Sequence, residues 1–250
     1  MKGLRVMLTN KMFHNYLLKC LNAGWVYWYG TYGKPCTLSL YKSKKKQYPA
    51  HYTDSRTKKY MQQINEGRWC ADCIGLGKSF VWSGGQFETN PKYASNGMPD
   101  KSADGMFEYA KKLGLPYGKI STIPEIVGVA VRFKGHVGYY IDNGEVIEER
   151  GFAYGCVKTK LKDRKWTDWY YLPAVTYEKE PEPAPKPTAV VNVTKGNYYV
   201  RTEPSTKGDK IGVAKKGSKL PYLGETQNGW YKVLYKNQEG WISSKCGSIE

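Results

Sequence analysis

Only three histidines occur in the chain, His14, His51 and His136. Histidine is the side chain best suited to move a proton near neutral pH, so a nucleophile-and-base site has three places to be. Six cysteines, Cys20, Cys36, Cys70, Cys73, Cys156 and Cys246, supply candidate nucleophiles. Cys73 lies in Trp69-Cys70-Ala71-Asp72-Cys73-Ile74-Gly75-Leu76, where a polar approach gives way to a predicted helix. Unpaired N–H groups and the dipole at a helix N-terminus favour a thiolate, so the Cys73 pKa is expected to fall and the sulfur to attack carbonyls. His136 opens a predicted strand in Gly135-His136-Val137-Gly138, between glycines that let a substrate backbone come close. Taken alone, a histidine between glycines is more often a surface or turn residue. As a pair, Cys73 and His136 are the parts of acyl transfer.

Two neighbouring motifs imitate other chemistries. Cys70-Ala71-Asp72-Cys73 is a C-x-x-C, but no second pair sits at zinc-ligand spacing and no βαβ redox pattern surrounds it. Gly75-Leu76-Gly77-Lys78-Ser79 resembles the end of a phosphate-binding loop, yet Asp72 stands where that motif needs glycine and would repel phosphate. No metal or cofactor is therefore expected. The remaining cysteines read as small core or surface residues, mostly reduced, since they lack the spacing of a secreted disulfide scaffold.

The elements that must position Cys73 and His136 suggest an α+β domain. Asn10 to Leu21 has helical spacing (Phe13, Tyr16, Leu17, Cys20, Leu21), and Ser102 to Leu113 reads as a helix ended by Gly114. Strands are predicted at Val129–Phe133, Val137–Ile141 and Glu145–Glu149, with Asp142-Asn143-Gly144 as the turn. Residues 34–68 carry no clear pattern, and the run Lys42-Ser43-Lys44-Lys45-Lys46 reads as a solvated loop or else a polyanion contact.

Glu178-Lys179-Glu180-Pro181-Glu182-Pro183-Ala184-Pro185-Lys186-Pro187 alternates charge and proline, a semi-stiff linker. It implies domains at 1–175 and 190–250 around a linker at 176–189. Beyond it, short β-like pieces recur at Tyr198–Arg201, Ile211–Val213, Lys219–Leu223, Trp230–Tyr235 and Gly240–Ile242, the pattern of a small all-β barrel. The net charge of +17 divides as +13 over residues 1–175 and +4 over the rest. A basic surface favours polyanions, wall polymers among them. No stretch reaches the roughly 18 apolar residues of a spanning helix. Met1 to Cys20 carries Lys11, His14 and Lys19 through what would be a signal core, so no secretion signal is expected.

Ala71-Asp72-Cys73-Ile74-Gly75-Leu76, Gly135-His136-Val137-Gly138-Tyr139-Tyr140-Ile141 with Asn143-Gly144, and the aromatic segment Ala23–Gly30 together resemble the NlpC/P60 peptidoglycan hydrolases, a papain-like family, over about residues 20–172. That resemblance implies Cys73 as nucleophile, His136 as base, Glu148 as the polar residue orienting the histidine, and Tyr27 and Asp72 as substrate-binding residues. Two departures are visible: Ile74 replaces the family's usual serine, and about forty residues separate Tyr27 from Asp72 where the family commonly has far fewer. Tyr199-Val200-Arg201-Thr202-Glu203-Pro204-Ser205, Asn228-Gly229-Trp230-Tyr231-Lys232-Val233 and Gly240-Trp241-Ile242 resemble the bacterial SH3-like (SH3b) modules, which bind cell walls. Tyr198, Tyr222 or Trp230 would stack on wall ligands, unless they, like Trp241, are core.

The function so implied is an endolysin-like wall hydrolase of phage or prophage type, monomeric, made in the host cytoplasm and acting after release. The expected cut is at the γ-D-glutamyl to diamino-acid amide of the stem peptide. The alternatives are the N-acetylmuramoyl-L-alanine amide and, in another class, a wall-binding protein without catalysis. A nucleic-acid binder would account for the charge but not for the SH3-like half. Hairpin register decides whether Glu148 or Glu149 faces His136. A loop of Asn143-Gly144 alone puts Glu149 on that face, whereas a loop of Asp142-Asn143-Gly144 puts Glu148 there. The family spacing selects Glu148.

Overall fold

The computed structural model describes residues 7–178, 189–236 and 238–250, so most of the predicted linker lies outside the described residues. Contacts divide the chain into two units, Met1–Glu178 and Lys179–Glu250.

The first unit is mixed α+β. Its elements are α1 (Asn10–Asn22), β1 (Val26–Tyr27), β2 (Tyr32–Pro35), α2 (Leu38–Gln47), α3 (Thr57–Asn65), β3 (Trp69–Ala71), α4 (Cys73–Trp82), α5 (Ala103–Lys112), β4 (Tyr117–Lys119), β5 (Ala130–Phe133), β6 (His136–Asp142), β7 (Glu145–Glu149), β8 (Cys156–Lys160) and β9 (Asp168–Tyr170). Thr9 caps α1 by accepting the Met12 N–H, and Phe13, Tyr16, Leu17 and Cys20 recur at helical spacing on its buried side. The segment 34–68 holds more structure than its sequence suggests. Thr37 caps α2 through the Leu40 N–H, and the lysine run Lys42–Lys46 is helical, not a loop, with Tyr41 as its buried anchor. An aromatic cluster of Trp28, Tyr41, Tyr52 and Tyr60, with Cys36 and Cys70, fixes this insertion to the rest of the unit.

A six-stranded sheet runs β4-β9-β5-β6-β7-β8, all pairs antiparallel. Alternation along β6 sends Val137, Tyr139 and Ile141 to the core shared with α1, α4 and α5. On β6 and β7, Tyr140 and Val146 join Trp166 in a second cluster on the other face. Within the first of these clusters α4 is buried along all ten of its residues. Gly75 and Gly77 make that possible. A Cβ at Gly75 would stand 1.9 Å from the Thr31 carbonyl oxygen, and one at Gly77 would stand 2.5 Å from the Tyr139 hydroxyl. The glycines that imitate a phosphate loop thus serve close packing, and the lysine after them, Lys78, is paired with Asp100 at 2.5 Å.

The β6–β7 hairpin combines the two expected loops. Asn143 and Gly144 both have positive φ, +44° and +70°, and Asp142 pairs with Glu145, as in a two-residue type I′ turn. A bulge between Tyr140 and Asp142 then shifts the register, so that Tyr140 faces Val146 and Tyr139 faces Ile147. Continued, this register sets Gly138 beside Glu148 and His136 opposite Arg150.

The second unit is a seven-stranded antiparallel sheet ordered β12-β11-β15-β14-β13-β10-β16, where β10 is Ala189–Val193, β11 Tyr198–Arg201, β12 Lys210–Ala214, β13 Lys219–Gln227, β14 Trp230–Tyr235, β15 Gln238–Ser243 and β16 Gly247–Ile249. Val191, Val193, Val200, Ala214, Leu220, Val233 and Ile242 meet in a single cluster. Strands from across the order supply it, so the sheet curls about its core.

Arg132 on β5 ties the sheet to α5, reaching Asp104 at 2.6 Å and Asp168 at 2.9 Å. Asp104 also accepts the Gly135 N–H, which fixes the turn just before His136. Burial works against both aspartates, but hydrogen bonds (from Gly135 and Arg132 to Asp104, from Thr167 and Lys119 to Asp168) and the Arg132 charge hold them below the usual carboxylate range. Stability from such depressed groups is present at neutral pH and is lost as pH falls through the folded value. Arg132→Met is expected to cost about 2 kcal/mol at pH 7 in urea denaturation, less than a fully buried pair because Asp104 is partly solvated. The gap between variant and wild type should narrow below about pH 4.

Candidate active site

The start of α4 and the start of β6 meet. Asp72, the N-cap of α4, uses both carboxylate oxygens on backbone: Oδ1 accepts the Gly75 N–H at 2.6 Å and Oδ2 the Gly30 N–H at 3.0 Å. The capped turn leaves the N–H groups of Cys73 and Ile74 free of helix bonds, and these two, with the N–H of Val137 on β6, lie near enough to the Cys73 sulfur to favour its thiolate. The Tyr139 hydroxyl, at 3.4 Å from the Cys73 carbonyl oxygen, adds a second link between the two elements.

The tie between Cys73 and the histidine's strand is therefore through Val137, one residue past His136, and it is a backbone contact. Alternation turns Val137 toward α4 and His136 toward the other face. Any thiol–imidazole contact is made around the first residue of β6. The expected fall in the Cys73 pKa is not found. Burial, and then the Asp72 charge, push the thiol up to about 12, beyond what the three N–H groups offset. The helix terminus is as the sequence implied, but Cys73 as a residue is only 7% exposed.

His136 is held on three sides. Its Nε2 lies 2.6 Å from Glu148 Oε2, its ring stacks on Trp166 at 5.7 Å and 14°, and Phe133 tilts against it at 5.1 Å. Glu148 is fully buried and saturated: Oε2 also accepts from Arg164 Nη2 at 3.0 Å, and Oε1 accepts from the Thr159 hydroxyl at 2.8 Å. Burial raises the cost of its charge, yet the hydrogen bonds from His136 and Thr159 and the facing charges hold Glu148 below the usual carboxylate range. An ionised acceptor places the shared proton on Nε2 and leaves Nδ1 as the basic nitrogen. Gly138 makes the room, since a Cβ there would meet Trp166 at 3.0 Å and the Glu148 Cβ at 3.2 Å.

Glu149, one residue on, faces the opposite side. It is fully buried, neither carboxylate oxygen has a hydrogen-bond partner among the described residues, and burial with the nearby Cys70 and Asp72 raises its pKa well above normal. Tyr27, paired with Ala71, is half-buried; burial, then the charges of Cys73 and Asp72, keep its phenol protonated. The structure thus gathers Tyr27, Asp72 and Cys73 on the α4 side, and His136 with Glu148 on the other side of β6. Thr159, Arg164 and Trp166 were not foreseen. Thr159 had a faint signal: on β8 it lies two residues from Val157, the partner of Glu148, on the same face. Arg164 and Trp166, outside any strand, had none.

A cleft of about 350 Å³ is lined by Asp72 and Ile74, the neighbours of Cys73, and by residues of the segment before them, but not by Cys73, Tyr27 or His136 themselves. A larger cavity of about 660 Å³ lies behind Trp166 and Arg164 and does not include Cys73, Tyr27 or Asp72. Of the other histidines, His51 stacks on Tyr29 at 3.6 Å. Cys70 donates its thiol to the Lys34 carbonyl, within the insertion's aromatic cluster. Among the described residues no group of three His, Cys, Asp or Glu side chains converges as a metal site, and no helix is long and apolar enough to cross a membrane. In the second unit Trp241 is buried, and Tyr198, Tyr222 and Trp230 are half-buried; the most exposed aromatic there is Tyr199, with Lys210 Nζ 4.1 Å from its ring centre.

The fold is thus an α+β unit followed by a β-rich module, and residues 196–248 of that module match the family described as Bacterial SH3 domain. No curated protein matches the chain. Among solved structures, the chain is similar to the crystal structure of Ly7917, at 14% identity and a TM-score of 0.25, over 69% of this chain and 82% of that one. It is also similar to Ly7917 with the hydrolyzing product of MDP, at 14% identity and a TM-score of 0.29, over 94% of this chain and 92% of that one. At these values neither likeness assigns a role to any residue.

Glu149 yields a stability test with a definite sign. A carboxyl whose folded pKa is raised must take up a proton on folding once the pH exceeds the unfolded value, so it costs stability progressively above about pH 4.5. Glu149→Gln is expected to raise the thermal midpoint at pH 8 and to give no gain at pH 4, as read by calorimetry at both pH values.

Proposed function

We propose that the chain is a peptidoglycan hydrolase. The first unit cleaves an amide of the stem peptide with Cys73 as nucleophile, His136 as base and Glu148 as the residue that orients and charges the histidine, and the second holds the enzyme on the wall. One observation carries the reading: a buried, ionised carboxylate 2.6 Å from the Nε2 of His136, on the strand whose Val137 N–H reaches the Cys73 sulfur. A structural histidine has little use for such a partner, whereas a general base needs its tautomer fixed and its imidazolium stabilised. The bacterial SH3 match supports the wall as the place of action.

In the proposed reaction the His136 ring, which rests across β6 from the thiol, turns about the first residue of the strand so that Nδ1 takes the thiol proton as sulfur attacks the amide carbonyl. The N–H groups of Cys73 and Ile74 face the oxygen that becomes negative. The C–N bond breaks as His136 returns the proton to the leaving amine, and water, deprotonated by the same nitrogen, releases the acyl group and restores the thiol. The scissile bond that the family resemblance favours is the γ-D-glutamyl to diamino-acid amide.

Mass spectrometry of purified walls digested with the protein tests this. New amino groups on the diamino acid are expected. New amino groups on L-alanine would move the cut to the muramoyl amide, and the absence of soluble products would make the chain a binder. Cys73→Ala should abolish release, and Glu148→Gln should lower turnover about a hundredfold or more, a typical loss for acid–base function, with Glu149→Gln much less affected. Equal losses at the two glutamates would refute the role given to Glu148.

Residues 1–178 without the second unit are expected to keep turnover on soluble muropeptides and to bind whole walls less well, since tethering raises local concentration without entering the chemistry. The residual wall binding should weaken with added salt. Equal sedimentation with walls by the short and full chains would remove the targeting role.

A further inference from the structure

The insertion between Tyr27 and Asp72 forms a wall of the cleft beside Cys73. Its helix α2 and the following residue contribute Lys44, Gln47 and Tyr48, opposite Asp72, Lys78 and Asp100. The charges there are unevenly matched. Asp100 is committed twice, to Lys78 at 2.5 Å and to the Tyr93 hydroxyl at 2.6 Å. Asp72 is committed to two backbone N–H groups. Lys44 is half-buried and has only neutral company: its Nζ donates to Gln47 Oε1 at 3.0 Å and lies 5.3 Å from the centre of the Tyr48 ring. Burial lowers its pKa, with Asp72 and Asp100 pulling weakly the other way. A cation kept in a cleft against a desolvation cost, with no carboxylate at ion-pair distance among the described residues, is arranged for an anion that arrives from outside.

The proposed substrate brings one. A γ-linked D-glutamyl residue uses its side-chain carboxyl in the peptide chain and leaves its α-carboxylate free, a few bonds from the scissile carbonyl. Resting on the hydrolase reading above, we propose that Lys44 is the specificity residue of this cleft and takes the α-carboxylate of the γ-D-glutamyl residue. Gln47 then fixes the ammonium and Tyr48 shields it. The insertion thereby gives this chain selectivity for stem peptides whose glutamyl α-carboxyl is free over those in which it is an amide.

The full-length Cys73→Ala protein, which binds without turning over, is titrated calorimetrically with two synthetic peptides, L-alanyl-γ-D-glutamyl-diamino acid and its α-amide. The acid form is expected to bind at least about tenfold more tightly, as for a charge-assisted hydrogen bond. Adding Lys44→Met should remove the preference by weakening the acid form alone. Lys44→Arg should retain it, and Lys44→Gln serves if the Met variant fails to fold. No preference, no binding of either peptide, or a preference that survives loss of the lysine would overturn the assignment. Hydrolysis of both peptides by the protein with Cys73 intact is scored separately. Binding preference without hydrolysis would sink the hydrolase reading and leave Lys44 as an anion-binding residue, whereas hydrolysis of both at equal efficiency would sink the Lys44 assignment alone.

Discussion

The complete burial of α4 is the constraint from which the rest of the first unit follows. A ten-residue helix with no solvent face must be approached closely from every side, and Gly75 and Gly77 are what permit it. With Gly75 against the Thr31 carbonyl, the chain before the insertion is fixed to the helix. With Gly77 against Tyr139, so is the middle of β6. The first turn of α4 then has nowhere to go but the start of β6, which brings the Val137 N–H to the Cys73 sulfur. Asp72 completes the arrangement by joining the helix cap to Gly30. Cost and use are linked here: the burial that fixes the sulfur is also what holds it as a thiol.

Two adjacent glutamates show how far environment outweighs residue type. Glu148 and Glu149 are both fully buried on one strand. Glu148 meets His136, Thr159 and Arg164 and is held below the usual carboxylate range, while Glu149 meets no donor among the described residues and is pushed well above it. Desolvation acts on both, and the difference is the hydrogen bonds and the guanidinium supplied on one face of the sheet and not on the other. Trp166, stacked on the imidazole, keeps water from the pair and so strengthens it.

The choice between these glutamates shows what the sequence could express. Asn143-Gly144 forms the tight I′ turn that its residues favour, which taken alone would have aligned Glu149 with His136. The bulge at Tyr140–Asp142 reverses that consequence, and nothing in Tyr140-Ile141-Asp142 announces it, because a bulge answers to packing on both faces of the sheet. Periodicity made α1 and α5 legible, and strand alternation did the same for β5 to β7. The strands β4 and β9, three residues each, were too short to signal, and β8 carries no run of buried apolar residues to mark it. The lysine-rich α2 was hidden for another reason: its helix rests on one buried residue, Tyr41, and on tertiary contacts made by aromatic residues far along the chain. Arg164 and Trp166 act only through their position in the folded unit.

A thiol raised to about 12 makes the proposed mechanism depend on its second half. With so little thiolate at rest, attack in the proposed mechanism is coupled to proton transfer toward His136. Glu148, buried and held below the usual carboxylate range, stands 2.6 Å from Nε2 to receive that ring's proton in a hydrogen bond that solvent screens weakly. Arg164 works in the opposite sense, since its charge keeps Glu148 ionised but also draws on the same oxygen that receives the His136 proton. Thr159, on the other oxygen, fixes the carboxylate without that competition. In the proposed reaction a carbonyl seated at Cys73 lies over the first turn of α4, where the N–H groups of Cys73 and Ile74 are free of helix bonds and receive the charge that leaves the sulfur.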